Sequence, residues 1–164
     1  FAPRDVGSAL ALLPGRARMV VSRTMSKAFA FAGARVGYLA ADAALVDALR
    51  LVRLPYHLSS LTQAAASAAL RHAPTMLGMV DEIVAQRDRI SATLEAIGYE
   101  PYESWTNFVL FGGVHDSAAT WQGLYDQGVL IRDVGIPHHL RVTAGTEQET
   151  TAFLDSLASL DSAS

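Results

Sequence analysis

The sequence predicts an α/β fold that ends in a small C-terminal α+β domain, and three features of the residue pattern support this prediction. Two short apolar runs with β-branched residues, at 19–22 and 36–40, are typical of buried strands. Apolar residues then recur at helical spacing from Leu77 to Ile97, which indicates one long amphipathic helix. Beyond Gly98, short strand-like runs and helical segments alternate, as in a compact α+β unit.

The composition is that of a folded globular protein and excludes several classes of function. Of the 164 residues, 51% are hydrophobic and 18% are charged, and the net charge is only −3. No basic stripe suggests nucleic-acid binding, and no apolar segment predicts a membrane span. The absence of cysteine excludes a thiolate nucleophile and fits a reducing cytoplasm. Because the chain begins at Phe1 without an initiator methionine, we expect it to be part of a longer protein.

Capping residues delimit the helices of the first region. The first predicted strand ends in a polar loop, residues 23–27, and Asp42 after the second strand is the expected N-cap of a helix that Pro55 ends. Ser60 and Gln63 form a candidate capping box for another helix, which extends to about Arg71.

The second region is predicted to begin with the long helix. Pro74 separates this helix from the preceding one, and Gly98 stops it. Thr146 and Glu149 open a last amphipathic helix with a capping box. Between the long and the last helix we predict strands at 108–111, 129–132 and 140–143 and a helix at 118–126. The sequence therefore predicts two domains, formed by residues 1–73 and 74–164.

The loop after the first strand carries the residues with the clearest chemical use. Lys27 follows two hydroxyl residues, Thr24 and Ser26, and is followed by small or aromatic apolar residues. A lysine amine attacks an aldehyde only in its neutral form, which apolar neighbours and a nearby cation favour. Hydroxyls and the guanidinium of Arg35 suit a phosphate, so the loop can hold both ends of a phosphorylated aldehyde cofactor. From these residues alone, a solvated surface lysine remains the alternative.

The loop resembles the lysine segment of the histidinol-phosphate aminotransferase family, whose members are fold-type I pyridoxal-phosphate enzymes. Ser26-Lys27-Ala28-Phe29, Ala32-Gly33, Arg35 and Gly37-Tyr38 match the family pattern in order and spacing. Trp105-Thr106 departs from the small residues that usually precede the asparagine of a later motif. Four later segments are also similar to family motifs, so the resemblance covers nearly the whole chain: 54–60, 105–111, 129–133 and 140–146.

The resemblance implies that the chain is the C-terminal half of a pyridoxal 5'-phosphate-dependent aminotransferase. Residues 1–73 are then the end of the large cofactor-binding domain, and residues 74–164 are a connecting helix and the small domain. Lys27 is implied as the Schiff-base lysine and acid–base catalyst, and Thr24, Ser26 and Arg35 bind the cofactor with it. The aspartate that pairs with the cofactor's ring nitrogen belongs to the family's N-terminal half, which this sequence lacks.

The resemblance also implies which residues bind the substrate. Arg141, and less directly Arg132, are expected to bind its anionic end, because a planar guanidinium suits both carboxylate and phosphate. Asn107 is expected to contact the substrate or to position Arg141, and Tyr56 to reach the partner subunit's site in a homodimer. For Arg132, Asn107 and Tyr56 a purely structural role remains the alternative.

The implied reaction converts histidinol phosphate and 2-oxoglutarate to imidazole acetol phosphate and glutamate, in histidine biosynthesis. An aromatic amino-acid transaminase and a threonine-phosphate decarboxylase share the lysine loop and Arg141, so both remain alternatives. A further alternative is a non-catalytic fragment, isolated from its N-terminal half. No metal site is expected, because the adjacent His138 and His139 of a strand point to opposite faces and make a poor chelate.

Overall fold

A computed structural model describes residues 1–3 and 5–162 of the chain. The chain divides into two compact units, Ala2–Met79 and Val80–Ser164, and Phe1 groups with the second of them. Each unit combines helices with antiparallel strands. No helix within the described ranges is both long and apolar enough to cross a membrane.

The first unit contains a two-stranded antiparallel ribbon. A short 3₁₀ turn (Ala9–Leu12) precedes strand β1 (Val20–Thr24), which pairs with β2 (Gly37–Ala41). Helix α1 (Ala43–Val52) follows directly, and the side chain of Asp42 accepts a hydrogen bond of 3.0 Å from its first turn. The predicted strands and this N-cap are therefore confirmed, whereas Arg23 and Thr24, predicted in the polar loop, belong to β1.

Helix α2 (Ser60–Arg71) begins one residue earlier than its predicted cap allows. Ser59, with extended backbone angles, is the N-cap, and its hydroxyl accepts a hydrogen bond of 3.0 Å from the Thr62 amide. The predicted capping box of Ser60 and Gln63 is wrong, because Ser60 is already helical and the Gln63 side chain donates to a main-chain carbonyl at 3.2 Å. Either of two adjacent serines can cap a helix, and only the backbone angles distinguish them.

Gly37 lies where the two strands of the ribbon approach most closely. A Cβ atom at this position would lie 2.5 Å from the Arg23 carbonyl oxygen, which belongs to the main chain and cannot rotate away. Glycine at the start of β2 therefore allows the backbone contact that fixes the two ends of the lysine loop.

We expect Gly37→Ala to lower the free energy of unfolding of the full-length protein by about 1–3 kcal/mol, because the added methyl group forces the strands apart. Gly33→Ala in the same loop is the matched control, since no atom lies within 4 Å of its added Cβ. Thermal or urea unfolding measures both variants. Equal stability of the two variants would contradict the close approach at Gly37.

The second unit packs helices on one four-stranded antiparallel sheet. The strand order is β3-β4-β6-β5, and all neighbouring strands are antiparallel. Helix α3 is the long helix of the sequence prediction and contains the division between the two units. The elements are α3 (Ala73–Ala96), β3 (Glu100–Pro101), β4 (Phe108–Gly112), α4 (Ser117–Asp126), β5 (Arg132–Asp133), β6 (Leu140–Thr143) and α5 (Glu147–Asp161).

The two faces of this sheet differ in burial. Alternate residues of β4 and β6, namely Val109, Phe111, Leu140 and Val142, are buried in a cluster that also includes residues of α3, α4 and α5. The residues between them point to the other face, because side chains alternate along a strand. Arg141 is one of these and is only partly buried. The buried face stabilises the sheet, and Arg141 shares the other face with Phe108 and Leu110.

The strand predicted at 129–132 is wrong in most of its length, since β5 contains only Arg132 and Asp133. The amide of Val129 donates to the Leu124 carbonyl at 2.9 Å, and the Trp121 indole N–H donates to the Ile131 carbonyl, also at 2.9 Å. Bonds to helix α4 thus occupy main-chain groups that a longer strand would need for pairing.

The apolar face predicted for the long helix is buried only in part. Ile90 and Leu94 are buried, whereas Leu77 and Ile97 at the two ends are 45% and 42% exposed. Arg87 also lies within the buried part of this helix face and is only 6% exposed. The two-residue strand β3 was not predicted at all, because it is too short to produce a periodic pattern.

Helix α5 begins with the predicted capping box. The Thr146 hydroxyl accepts from the Glu149 amide, and the Glu149 carboxylate accepts from the Thr146 amide at 2.7 Å. Hydrogen bonds from the main chain and then the side chain of Thr146 lower the pKa of Glu149. Near the other end of α5, burial and then the hydrogen bond to Asp161 raise the pKa of Tyr99.

Candidate functional site

The lysine loop, residues 25–36, is held in shape by main-chain hydrogen bonds and by one buried side chain. The Met25 amide donates to the Val36 carbonyl at 3.2 Å, and the Phe31 amide donates to the Met25 carbonyl at 3.1 Å. Met25 is 3% exposed and packs with Phe29, Phe31 and Val36 and with two alanines of α2. The loop is therefore anchored on α2 beneath its polar residues.

The hydroxyl and guanidinium groups predicted to bind phosphate line one pocket of about 310 Å³. The Thr24 and Ser26 hydroxyl oxygens lie 2.5 Å apart, and Thr24 also accepts from the Ser26 amide at 3.1 Å. Arg35, at the far end of the loop, also lines the pocket. Ser22 and Arg23 line it as well, and no carboxylate does. The pocket thus presents hydroxyls and two cations, a combination that suits an anion.

Two non-glycine residues of this loop have left-handed backbone angles. The φ angle is +54° at Ala30 and +50° at Arg35. Such angles cost of order 1–3 kcal/mol each and occur preferentially where a functional geometry demands them. At Arg35 one Nη1 hydrogen bond to the Ala32 carbonyl, at 3.1 Å, holds the guanidinium against the loop.

Lys27 is the single lysine of the sequence, beside twelve arginines. It lies directly after the hydroxyl pair, and its carbonyl accepts from the Ala30 amide at 2.9 Å, which forms a tight turn. Its side chain is exposed, and its amine has no hydrogen-bond or ion-pair partner among the described residues. Lys27 directly follows the pocket residue Ser26 in the chain but does not itself line the pocket. An exposed amine without a carboxylate partner is available for a covalent bond to a ligand.

The second unit brings two of the predicted substrate residues together. Arg132 and Arg141 are directly opposite each other in the β5–β6 pair, so their side chains share one face of the sheet. Like charges in this arrangement repel each other unless an anion joins them. The Phe108 ring lies 4.6 Å from the Arg141 guanidinium carbon, in a cation–π contact that orients the guanidinium. The buried Nε of Arg141 has no hydrogen-bond partner in the part of the chain that the structure describes.

The other two predicted substrate residues differ in their surroundings. Asn107 precedes β4, and its carbonyl accepts from the Ala144 amide at 2.9 Å. Its side chain is partly buried and has no partner among the described residues. Tyr56 belongs to the first unit, where it is 99% exposed, has a φ of +55° and does not line the pocket of Thr24 and Arg35. Its predicted contact with a partner subunit stays a prediction.

Three residues of the candidate site were not predicted from the sequence. Ser22 and Arg23 line the pocket beside the predicted hydroxyls, and the alternation of Ser22 and Thr24 along β1 was a readable signal for the first of them. Phe108 contacts Arg141 as its diagonal neighbour in the β4–β6 pair, which the sequence does not reveal. Within the described ranges, no group of three or more histidine or acidic side chains is placed to hold a metal ion.

The chain is similar over nearly its whole length to one protein family. The family model for aminotransferase class I and II matches residues 1–157. The histidinol-phosphate aminotransferase of Paenarthrobacter aurescens strain TC1 is 61% identical over 160 residues, which are 98% of this chain and 43% of the relative. The enzyme of the same name from Mycolicibacterium smegmatis is 63% identical over 154 residues, which are 93% of this chain and 41% of the relative. The chain spans about two fifths of the length of these relatives.

A solved structure shares the fold. The crystal structure of histidinol-phosphate aminotransferase from Sinorhizobium meliloti in complex with pyridoxal-5'-phosphate superposes with a TM-score of 0.80 and 27% identity, covering 97% of this chain and 46% of that one. The predicted fold class, the end of a fold-type I large domain followed by a small α+β domain, is thereby confirmed. The family model and these similarities place the chain in the class I and II aminotransferase family, within the C-terminal part of its members.

Proposed function

We propose that this chain is the C-terminal part of a pyridoxal 5'-phosphate-dependent histidinol-phosphate aminotransferase. The proposed reaction transfers the amino group of histidinol phosphate to 2-oxoglutarate and yields imidazole acetol phosphate and glutamate, in cytoplasmic histidine biosynthesis. The observation that carries the proposal is the single lysine of the sequence, which has no carboxylate partner among the described residues and directly follows Ser26 of a pocket of hydroxyls and guanidinium groups. The relatives at 61% and 63% identity favour this substrate over those of the neighbouring enzymes.

The residues of the lysine loop fit the cofactor at two ends. Thr24, Ser26 and Arg35 would hold its phosphate, because the pocket that they line contains donors and positive charge and no carboxylate. Lys27 would hold its aldehyde carbon through a covalent bond, because its amine is exposed and unpaired among the described residues. We propose that residues 1–73 belong to the cofactor-binding domain and residues 74–164 to the connecting helix and small domain.

Lys27 has two tasks in the proposed reaction. When bound, pyridoxal phosphate supplies the carbonyl that receives the amino group and a ring that takes up the electron pair of the broken C–H bond. The Lys27 amine would hold the cofactor through its aldehyde carbon. As a free amine, it would accept the proton from the reacting carbon of the substrate and donate it later in the reaction, as a general base and then a general acid.

Arg141 and Arg132 are proposed to bind the anionic end of the substrate. The phosphate of histidinol phosphate and a carboxylate of glutamate both accept two parallel hydrogen bonds from a guanidinium group. The Phe108 ring holds the Arg141 guanidinium in one plane, which reduces the entropy lost on binding. We further propose that Asn107 contacts the substrate and that Tyr56 serves the neighbouring site of a homodimer.

An absorbance titration of the full-length protein tests the function. Pyridoxal phosphate should produce a visible band that is absent from a Lys27→Ala variant, and histidinol phosphate should bleach the band. Addition of 2-oxoglutarate should then restore it. A band that forms but does not respond to histidinol phosphate would support the proposed cofactor and contradict the proposed substrate. No band at all would refute the proposed cofactor site.

The phosphate pocket can be tested through Arg35. We expect Arg35→Asn to weaken pyridoxal phosphate binding to the full-length protein by about 10- to 100-fold, the equivalent of one or two charge-assisted hydrogen bonds. Asparagine is chosen because it tolerates the left-handed φ of +50°, so the loop backbone is preserved. Arg50→Asn, which removes an exposed α1 arginine paired with Asp47, is the control. Unchanged cofactor affinity in Arg35→Asn would exclude Arg35 from the pocket.

A further inference from the structure

Arg87 of helix α3 is a buried cation whose hydrogen bonds reach the adjacent Asp88 and two distant segments of the second unit. Its residue surface is only 6% exposed, although burial of an unpaired charge costs a large free energy. Its Nε and Nη2 atoms both donate to one carboxylate oxygen of the adjacent Asp88, at 2.8 Å and 2.7 Å. Its Nη1 atom donates to the carbonyls of Phe1, at 3.0 Å, and Thr106, at 3.3 Å.

The pairing of Arg87 with its neighbour leaves one edge of the guanidinium for the main chain. Neighbouring residues on a helix do not face each other, so Asp88 can engage only the near edge of the group, Nε and Nη2. The remaining Nη1 then has no acidic partner and binds carbonyl oxygens instead. A guanidinium group is rigid, so the carbonyls that it binds are fixed relative to helix α3.

The Thr106 carbonyl is half of the peptide group that joins Thr106 to Asn107. The carbonyl of Asn107 itself accepts from the amide of Ala144, which directly follows β6, at 2.9 Å. Both peptide groups that flank the Asn107 side chain are thus held, one by Arg87 and one by the strand end after Arg141. Hydroxyl groups fix the same turn further, because Ser104 Oγ donates to the Phe108 carbonyl at 2.6 Å.

The Asn107 side chain is left without a partner in this rigid turn. It is partly buried, and no hydrogen bond to its amide occurs among the described residues. A fixed main chain that presents an unpaired and partly exposed side-chain amide is the arrangement that a ligand contact needs. A turn with a merely structural asparagine would use the amide to bond its own backbone.

We propose that Arg87 is a positioning residue that fixes Asn107 for contact with the bound substrate. The proposal rests on the function proposed above and extends it to a residue of α3 that does not itself contact the substrate. Arg87 acts through the Thr106–Asn107 peptide group, and its effect on the reaction therefore depends on the Asn107 side chain.

A double-mutant cycle on the full-length protein tests this dependence. The four proteins are the native one, Arg87→Met, Asn107→Ala and the double variant, and the measurements are KM and kcat for histidinol phosphate. We expect Arg87→Met to raise KM by about tenfold with little change in kcat, and to change it less than about twofold when Asn107 is already alanine. The absorbance of the bound cofactor should stay unchanged in all four.

Two further variants keep the test decisive. Arg89→Met removes an exposed α3 arginine that donates to Gln86 at 3.4 Å, and it should leave KM unchanged. Arg87→Lys keeps a donor for the Thr106 carbonyl, so its KM should lie between those of the native protein and Arg87→Met. If Arg87→Met does not fold, Arg87→Lys replaces it in the double-mutant cycle. Multiplicative effects of the Arg87 and Asn107 substitutions on KM would overturn the proposal, because Arg87 would then act elsewhere.

Amide hydrogen exchange separates this inference from the proposed function. Arg87→Met should accelerate exchange in residues 104–108 relative to Arg89→Met, whether or not the protein turns over histidinol phosphate. Lack of turnover in the native protein would reject the proposed function, and faster exchange would still support the positioning of the turn. Unchanged exchange together with an unchanged KM would reject the role of Arg87 even in an active enzyme.

Discussion

Replacement of Lys27 by alanine in the full-length protein is expected to reduce transamination at least about a thousandfold, because one side chain supplies both the covalent attachment and the proton transfer. The fold should be retained, since the Lys27 side chain is exposed and the loop is anchored by Met25 and main-chain hydrogen bonds. Initial rates with histidinol phosphate and 2-oxoglutarate, together with the unfolding temperature, measure the two effects.

The single lysine of the sequence makes a second measurement of Lys27 straightforward. Borohydride treatment of the cofactor-loaded native protein should attach the cofactor permanently, and among peptides of these 164 residues only the one that contains Lys27 can carry the label. Lys27→Arg is the matched control, because it keeps the positive charge but cannot form the bond. Normal turnover in Lys27→Ala, or a label on a different part of the protein, would disprove the assignment.

Replacement of Arg141 by methionine is expected to raise the KM for histidinol phosphate by about 100-fold, since a charge-assisted hydrogen bond contributes about 1.5–3 kcal/mol and a guanidinium group can form two. The cofactor should remain bound, because the pocket of Thr24, Ser26 and Arg35 does not include Arg141. Steady-state kinetics with each substrate, and the cofactor absorbance of the same samples, give both results.

Arg132→Met is the comparison that the structure offers for Arg141. Arg132 shares the face and the register position of Arg141 but is exposed, so water screens its charge and its removal should raise KM by about tenfold or less. If the two substitutions raise KM equally, both arginines bind the substrate alike, and the contact with Phe108 gives Arg141 no advantage. Release of the cofactor from Arg141→Met would mean that Arg141 binds the cofactor instead of the substrate.

Local interactions account for the features that could be predicted from the sequence. The cap at Asp42, the stop at Gly98, where φ is +95°, and the capping box of Thr146 and Glu149 each depend on a few adjacent residues. The lysine loop belongs to the same class, because its order of hydroxyl, lysine and arginine residues is a local motif. Where two local solutions were equally good, as at Ser59 and Ser60, the prediction was wrong by one residue.

Long-range contacts account for what could not be predicted. The pairing of Arg132 with Arg141 depends on the register of two strands, and the contact of Phe108 with Arg141 depends on a third. The shortness of β5 follows from hydrogen bonds that its preceding residues make to helix α4. The sequence shows Arg87 only as an arginine on an apolar helix face. Its carbonyl partners are distant in sequence and are visible only in the structure.

The sequence by itself determined the lysine loop, the helix boundaries set by caps and glycines, and the family, because short-range chemistry and motif spacing are written in consecutive residues. The tertiary structure alone decided which of the predicted groups share a surface. It gathers Thr24, Ser26 and Arg35 around one pocket free of carboxylates, and it sets two arginines side by side on the sheet face opposite the buried core. Strand register and side-chain burial determine which groups lie together, and both depend on contacts between residues far apart in the chain.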